Sequence, residues 1–181
     1  MKKILVATEK PFAKVAVDGI RKVVEAAGYE LVLLESYKSK AELLDAVTNA
    51  DAMIVRSDIV DREVVEAAKN LKIVVRAGAG YDNLDLAACT EKGIVAMNTP
   101  GQNSNAVAEL ALGMMVFMAR GGFNGKSGSE LKGKKLGIQA YGAVGRLVAK
   151  IAKVLAWKSM LSIHLFPKKL LKKMAFIASK N

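Results

Sequence analysis

Short apolar runs alternate with helical patterns along this chain. Residues 4–7, 31–34, 52–55, 73–75, 94–96 and 136–138 are brief, almost wholly apolar segments, the mark of strands covered on both faces. Between them, residues 12–27, 41–49, 62–69 and 86–92 repeat apolar positions at helical spacing. The punctuation agrees: Pro11 suits a first helical turn, Gly28 a helix stop, and Asp61 an N-cap before Arg62 and Glu63. Such alternation predicts an α/β fold, an open parallel sheet flanked by helices. Ligands of such sheets bind beyond the carboxyl ends of the strands, so the loops after each strand carry the interest.

A longer helix follows over 103–120, with Val107, Leu110, Ala111, Met114, Phe117 and Met118 at helical spacing on one face. The polar, glycine-rich stretch 121–128 reads as a connector. A new strand over 135–139 then runs through a glycine turn into a helix over 144–155. The pattern implies a first lobe over 1–98, a second region over 99–156 and a separate tail over 157–181.

Composition sharpens this picture at one point. The 181 residues are 52% hydrophobic with a mean hydropathy of +0.22, enough for a substantial core, and carry a formal charge of +11. That excess excludes an acidic disordered chain and raises nucleic acid or a membrane as partners. It is unevenly spread. Six lysines and no acidic residue lie in the last 25 positions, leaving 22 basic against 17 acidic side chains in the first 156. The body has no nucleic-acid recognition motif, so no nucleic-acid partner is expected. The apolar stretch 110–119 is shorter than the roughly 20 residues that span a bilayer. The start is too short in apolar residues for a signal peptide, and a lone Cys89 forms no internal disulfide. A cytoplasmic chain without a membrane partner or metal site is expected, with Cys89 as a core residue.

Ala140-Tyr141-Gly142-Ala143-Val144-Gly145 lies between the second region's strand and its helix. In the dinucleotide fingerprint the first glycine makes a tight turn, the second admits a pyrophosphate and the third lets helix and strand pack closely. Ala140 stands at the first position. If that position needs a positive φ, alanine strains it by roughly 1–2 kcal/mol; if not, it is harmless.

Three further segments join this turn: Val74-Val75-Arg76-Ala77-Gly78-Ala79-Gly80-Tyr81-Asp82-Asn83-Leu84-Asp85, Met97-Asn98-Thr99-Pro100-Gly101-Gln102-Asn103, and Val107-Ala108-Glu109. In this order they resemble the D-isomer-specific 2-hydroxy-acid dehydrogenases. With Ile54-Val55-Arg56-Ser57 and Glu130-Leu131-Lys132-Gly133-Lys134-Lys135-Leu136-Gly137 added, the best fit is the phosphoglycerate branch. The resemblance covers residues 1 to about 155. It implies a flavodoxin-like parallel-sheet substrate lobe followed by the incomplete start of a Rossmann nucleotide-binding domain. It implies hydride transfer between NAD and a small 2-hydroxy acid such as 3-phosphoglycerate, by a homodimer or larger assembly.

Site residues follow from the same resemblance. Backbone N–H groups of Ala79 and Gly80 would hold the substrate carboxylate; Arg56 and Ser57 would meet its phosphate or carboxylate. Asn103 matches a substrate-side Asn, and is also placed to cap the long helix. Val107 matches a position beside the nicotinamide, or packs in the core. Tyr141, Gly142, Ala143, Val144 and Gly145 would hold the dinucleotide. The family's catalytic His, Glu and Arg have no counterpart in these 181 residues: the single histidine, His164, stands in a segment without family motifs.

That segment has a second reading. When its back-translated nucleotides are regrouped one position upstream, Trp157-Lys158 forces Glu and Met174-Ala175 forces Gly. Choice among the remaining degenerate bases gives Gly-Met-Glu-Val-Tyr-Ala-Phe-Asp, then Pro-Lys-Glu-Val-Ile-Glu-Lys-Asp-Gly-Ile. This resembles the family's next strand, its ribose-binding Asp falling across the codons of Ser162 and Ile163, 18 residues past Gly145. The expectation is a frameshifted, prematurely ended dehydrogenase frame without turnover. The alternative is a non-catalytic interaction module whose tail, with Leu161, Leu165, Leu170, Leu171, Met174 and Ile177 beside four lysines, binds an anionic membrane or an acidic partner.

Overall fold

A computed structural model describes residues 1–155 and the backbone of residues 158–161. The chain divides into two units, Met1–Pro100 and Gly101–Asn181. In the first unit β1 (Lys3–Thr8), β2 (Glu30–Glu35), β3 (Ala52–Val55), β4 (Ile73–Arg76) and β5 (Val95–Asn98) form one five-stranded parallel sheet in the order β2-β1-β3-β4-β5. The alternation predicts a parallel sheet, and this is the flavodoxin-like order that the family resemblance implies; it reverses between β1 and β3, where such sheets open a crevice for ligands. Crossovers between parallel strands need helices, here α1 (Lys14–Ala26), α2 (Lys40–Val47), α3 (Arg62–Ala67) and α4 (Leu86–Glu91).

Local chemistry sets most of these boundaries. Asp61 caps α3, its carboxylate accepting from the Val64 N–H at 3.2 Å. Gly28, at φ +73°, turns the chain out of α1. Two expectations shift. Pro11 lies before α1 rather than in its first turn, because Ala13 is extended (φ −59°, ψ 140°) and its carbonyl accepts the first helical bonds. The fifth strand begins at Val95, not Ile94, because the Ile94 N–H turns back to the Cys89 carbonyl.

One face of the sheet carries the main core. Leu5, Ala7, Met53, Val55 and Val74 pack there against Leu43, Val47, Val64, Val65, Ala88 and Cys89 from α2, α3 and α4. Burial raises the Cys89 thiol pKa, helped by the Asp85 charge, so Cys89 sits as an unreactive core residue. Val6 points to the opposite face. Val95 and Met97, on edge strand β5, remain about half exposed at 54% and 50%.

The second unit holds α5 (Ser104–Ala119), a short 3₁₀ turn at Gly121–Phe123, β6 (Lys135–Ile138) and α6 (Ala143–Val154). β7 (Lys158–Leu161) runs parallel to β6, with Lys135 opposite Lys158 and Ile138 opposite Leu161. A small core of Ala108, Ile138, Val148 and Ala149 joins α5 to the strand–helix unit. His164 and the rest of the tail lie outside the described residues. Among the described residues no helix is long and apolar enough to cross a membrane.

Candidate functional site

The carboxyl edge of the first sheet gathers two predicted pairs. β3 ends at Val55, which puts Arg56 and Ser57 in the exposed loop beyond it. β4 ends at Arg76 and runs into Ala77-Gly78-Ala79-Gly80. Asn98 Nδ2 donates to the Ala79 carbonyl at 2.7 Å, and the Thr99 N–H to the Gly78 carbonyl at 2.9 Å. Both carbonyls are thereby held toward β5. The Ala79 and Gly80 N–H groups donate to no protein group among the described residues. Adjacent backbone donors without partners are the elements of an anion-binding turn.

Arg76 joins the two loops. Its Nε donates to the Arg56 carbonyl at 2.9 Å, and its guanidinium lies across Gly78, where a Cβ would come within 1.6 Å of Nη1. Glycine at 78 thus makes room for an arginine beside the N–H groups of the turn. A pocket of about 120 Å³ opens next to it, lined by Tyr81, Leu84, Leu86, Ala96, Met97 and Asn98.

Beneath Arg56 sits Asp58, only 5% exposed. Its carboxylate accepts from the Glu9 N–H at 2.7 Å, the Tyr37 hydroxyl at 2.9 Å and the Arg56 N–H at 3.2 Å. Burial, then the hydrogen bond to Asp58 and its charge, push the Tyr37 phenol far above its ordinary range.

In the second unit Gly142 caps α6 in an extended conformation, φ −79° and ψ −156°, and a Cβ there would meet nothing within 4 Å. The opening of α6 is therefore clear to an approaching group. Gly145 is the reverse case: its Cβ would lie 2.1 Å from the Ala140 carbonyl oxygen and 3.3 Å from Ile138 Cγ2. The second and third glycine positions meet the physical demands of a dinucleotide turn. Ala140 has no positive φ, so alanine at the first position carries no strain. A cavity of about 310 Å³ in this unit lies at the C-terminal ends of α5 and α6, between Val116, Arg120, Leu131 and Leu155, away from the turn.

The family profile described as D-isomer specific 2-hydroxyacid dehydrogenase, catalytic domain, matches residues 6–181. The chain belongs to the D-isomer-specific 2-hydroxyacid dehydrogenase family. It is 41% identical over 167 residues to D-3-phosphoglycerate dehydrogenase of Archaeoglobus fulgidus, covering 84% of this chain and 30% of that protein. It is 41% identical over 137 residues to hydroxypyruvate reductase of Thermotoga maritima, covering 68% and 45%. A crystal structure of NAD+-bound 3-phosphoglycerate dehydrogenase of Entamoeba histolytica superposes with a TM-score of 0.87 at 50% identity, over 92% of this chain and 55% of that one. The chain thus spans about half or less of the length of these relatives.

In this 2-hydroxyacid dehydrogenase chain, Arg56, Ser57, Ala79 and Gly80 share one sheet edge. Tyr141 and Val144 are partly buried against the small core of Ala108, Ile138, Val148 and Ala149. Asn103 stands at the N-cap position of α5, but its side chain makes no capping bond. Val107 is exposed rather than a core residue. Asp58, Tyr37, Arg76 and Asn98 carried no role in the sequence pattern. The run of small residues after Arg76 was a signal of a side chain lying across it; nothing periodic marks Asp58 or Tyr37.

Proposed function

We propose that the chain supplies the substrate-binding lobe and the opening of the cofactor lobe of a cytoplasmic, homo-oligomeric, NAD-dependent 2-hydroxyacid dehydrogenase acting on 3-phosphoglycerate. The observation that carries this reading is the sheet edge where unpartnered Ala79 and Gly80 N–H groups lie beside a loop with Arg56, joined to it by Arg76. The two N–H groups hold the substrate carboxylate. Arg56 offers a planar fork to the phosphate, with the Ser57 hydroxyl as a further donor. The names and identities of the phosphoglycerate dehydrogenases favour the phosphorylated acid.

The residues of the glycine turn fit a dinucleotide. The Gly142 backbone and the first N–H groups of α6 take the pyrophosphate, with Tyr141, Ala143 and Val144 lining it and Gly145 holding the helix on the strand. The dinucleotide held there would supply the hydride acceptor for the oxidation. By the family resemblance, Val107, in the first turn of α5, would serve the nicotinamide, and Asn103, at its N-cap, the acid.

Calorimetric titration of the full 181-residue chain tests this. Binding of 3-phosphoglycerate, weakened by Arg56→Ala, is expected; no binding of either 3-phosphoglycerate or NAD overturns the reading. The one histidine of the chain is His164, and general acid–base catalysis is worth about 10²–10⁴ in rate. The purified chain is therefore expected to bind without turning over, and NADH oxidation with a 2-keto acid would overturn that. A second reading, a non-phosphorylated acid, is favoured by the hydroxypyruvate reductase at the same 41% identity. Tighter binding of D-glycerate than of 3-phosphoglycerate would select it.

A further inference from the structure

Four loops meet at the carboxyl edge of the first sheet, and one buried side chain touches three of them. Oδ1 of Asp58 accepts from the Glu9 N–H, in the loop after β1, and from the Tyr37 hydroxyl, after β2. Oδ2 accepts from the Arg56 N–H, in its own loop after β3. The fourth loop, after β4, is tied through the Asp58 carbonyl, which accepts from Asn83 Nδ2 at 2.7 Å. The arrangement is built rather than incidental. Ser36 adopts φ +56°, a conformation uncommon for a residue other than glycine, immediately before Tyr37. Buried Thr8, at the end of β1, donates its hydroxyl to the Lys10 carbonyl in the same crevice.

A carboxylate is a costly choice for this place. It is buried, and it lies two residues from a cation expected to receive a phosphate, which it repels. Electrostatics alone would favour Asn or Ser. What the carboxylate alone provides is acceptor capacity: two oxygens that take three donors from three loops at once. An Asn would turn an NH₂ toward one of those donors and leave it unpaired.

We propose that Asp58 is the positioning residue that presets the Arg56-Ser57 backbone for the phosphate of the substrate. This rests on the reading of that loop as the phosphate site. The Ala79 and Gly80 N–H groups, held by Asn98 and Thr99 instead, receive the carboxylate independently of the Asp58 side chain, since the tie from Asn83 goes to the Asp58 backbone carbonyl. Asp58 therefore governs discrimination between a phosphorylated acid and its phosphate-free counterpart, not acid binding as such.

The test is calorimetric titration of the full chain with 3-phosphoglycerate and with D-glycerate, for the native protein, Asp58→Asn and Tyr37→Phe. Asp58→Asn is expected to weaken 3-phosphoglycerate by about tenfold, the scale of one charge-assisted hydrogen bond, and to leave D-glycerate within about twofold. Tyr37→Phe, which keeps the carboxylate and both backbone donors, is expected to weaken 3-phosphoglycerate by a smaller factor in the same direction. If Asp58→Asn does not fold, the Tyr37→Phe result decides, and unchanged 3-phosphoglycerate affinity overturns the proposal. Tighter 3-phosphoglycerate binding by Asp58→Asn means that the carboxylate acts only as a repelling charge, and also overturns it. Equal loss for both acids shows a merely structural residue. A native chain that binds neither acid fails at the earlier step, overturning the phosphate-site reading and this role with it.

Discussion

A Cβ added to Gly145 would stand 2.1 Å from the carbonyl oxygen of Ala140, a distance that no relaxed side chain tolerates. The obstacle is backbone, so it yields only if α6 moves off β6. At Gly142, three residues earlier, a Cβ would meet nothing within 4 Å. Two glycines of one turn thus serve different ends, one to pack the helix and one to leave space beside it.

Gly145→Ala is therefore expected to destabilise the second unit by roughly 1–3 kcal/mol, the usual cost of overpacking. Gly142→Ala, at a φ and ψ open to any residue, costs less than about 1 kcal/mol, mainly as a poorer N-cap, while weakening NAD. Urea unfolding with NAD titration separates the two. Equal stability loss in both variants would contradict the division of roles.

Tyr37 makes an alkaline prediction. Its phenol is raised chiefly by burial, then by the hydrogen bond to Asp58, so the folded chain keeps a proton that the unfolded chain gives up near pH 10. The stabilisation is full below that pH and is lost as pH rises above it. In an ultraviolet titration one of the four tyrosines should stay unionised until the chain unfolds, and Tyr37→Phe should abolish that late phase. Ionisation of all four together near pH 10 would contradict it.

Strands, helices and their order were legible because their signals are local and repeated. The apolar runs around Val6, Met53 and Val74 announced buried strands, and Asp61 and Gly28 announced helix ends. The tight packing at Gly145 was legible because the fingerprint's spacing puts its third glycine there, where helix and strand come closest. The Asp58 hub was not, since Glu9, Tyr37, Arg56 and Asp58 meet only once two crossovers, through α1 and α2, have brought their three loops together. Pro11 misled for a related reason: its fixed φ suits an extended approach to a helix as well as a first turn, and Ala13 carries the first accepting carbonyl.

Acid should act through three carboxylates held below their ordinary range. Asp61 is lowered first by the Lys40 ammonium, 2.6 Å away, and by the Val64 N–H; Glu91 by Arg62; and Glu42 by the Lys38 N–H and the Ser39 hydroxyl. Each binds its proton less readily in the folded chain than in the unfolded one. Their stabilisation is complete above the unfolded values, about pH 4, and is lost as pH falls through the lower folded values. Urea midpoints should fall between pH 5 and pH 3, and less steeply for Asp61→Ala, which also loses about 1 kcal/mol of capping at neutral pH. A midpoint that rises on acidification would contradict this.

The uneven charge leads to a prediction about nucleotides rather than side chains. The body carries a modest excess of 22 basic over 17 acidic residues, whereas the last 25 residues hold six lysines and no acid. The β7 backbone nevertheless pairs with β6 where a second nucleotide-domain strand belongs, and the family match runs on to residue 181. We propose that these residues stand in for a strand encoded one base upstream. If so, the coding DNA read in that frame after codon 156 gives Glu at the Trp157-Lys158 junction and an Asp across codons 162 and 163, then continues into dehydrogenase sequence. A stop codon in that frame before the Asp would show that the basic segment is the protein's own. Vesicle binding by a 157–181 peptide at low salt would then become its expected property.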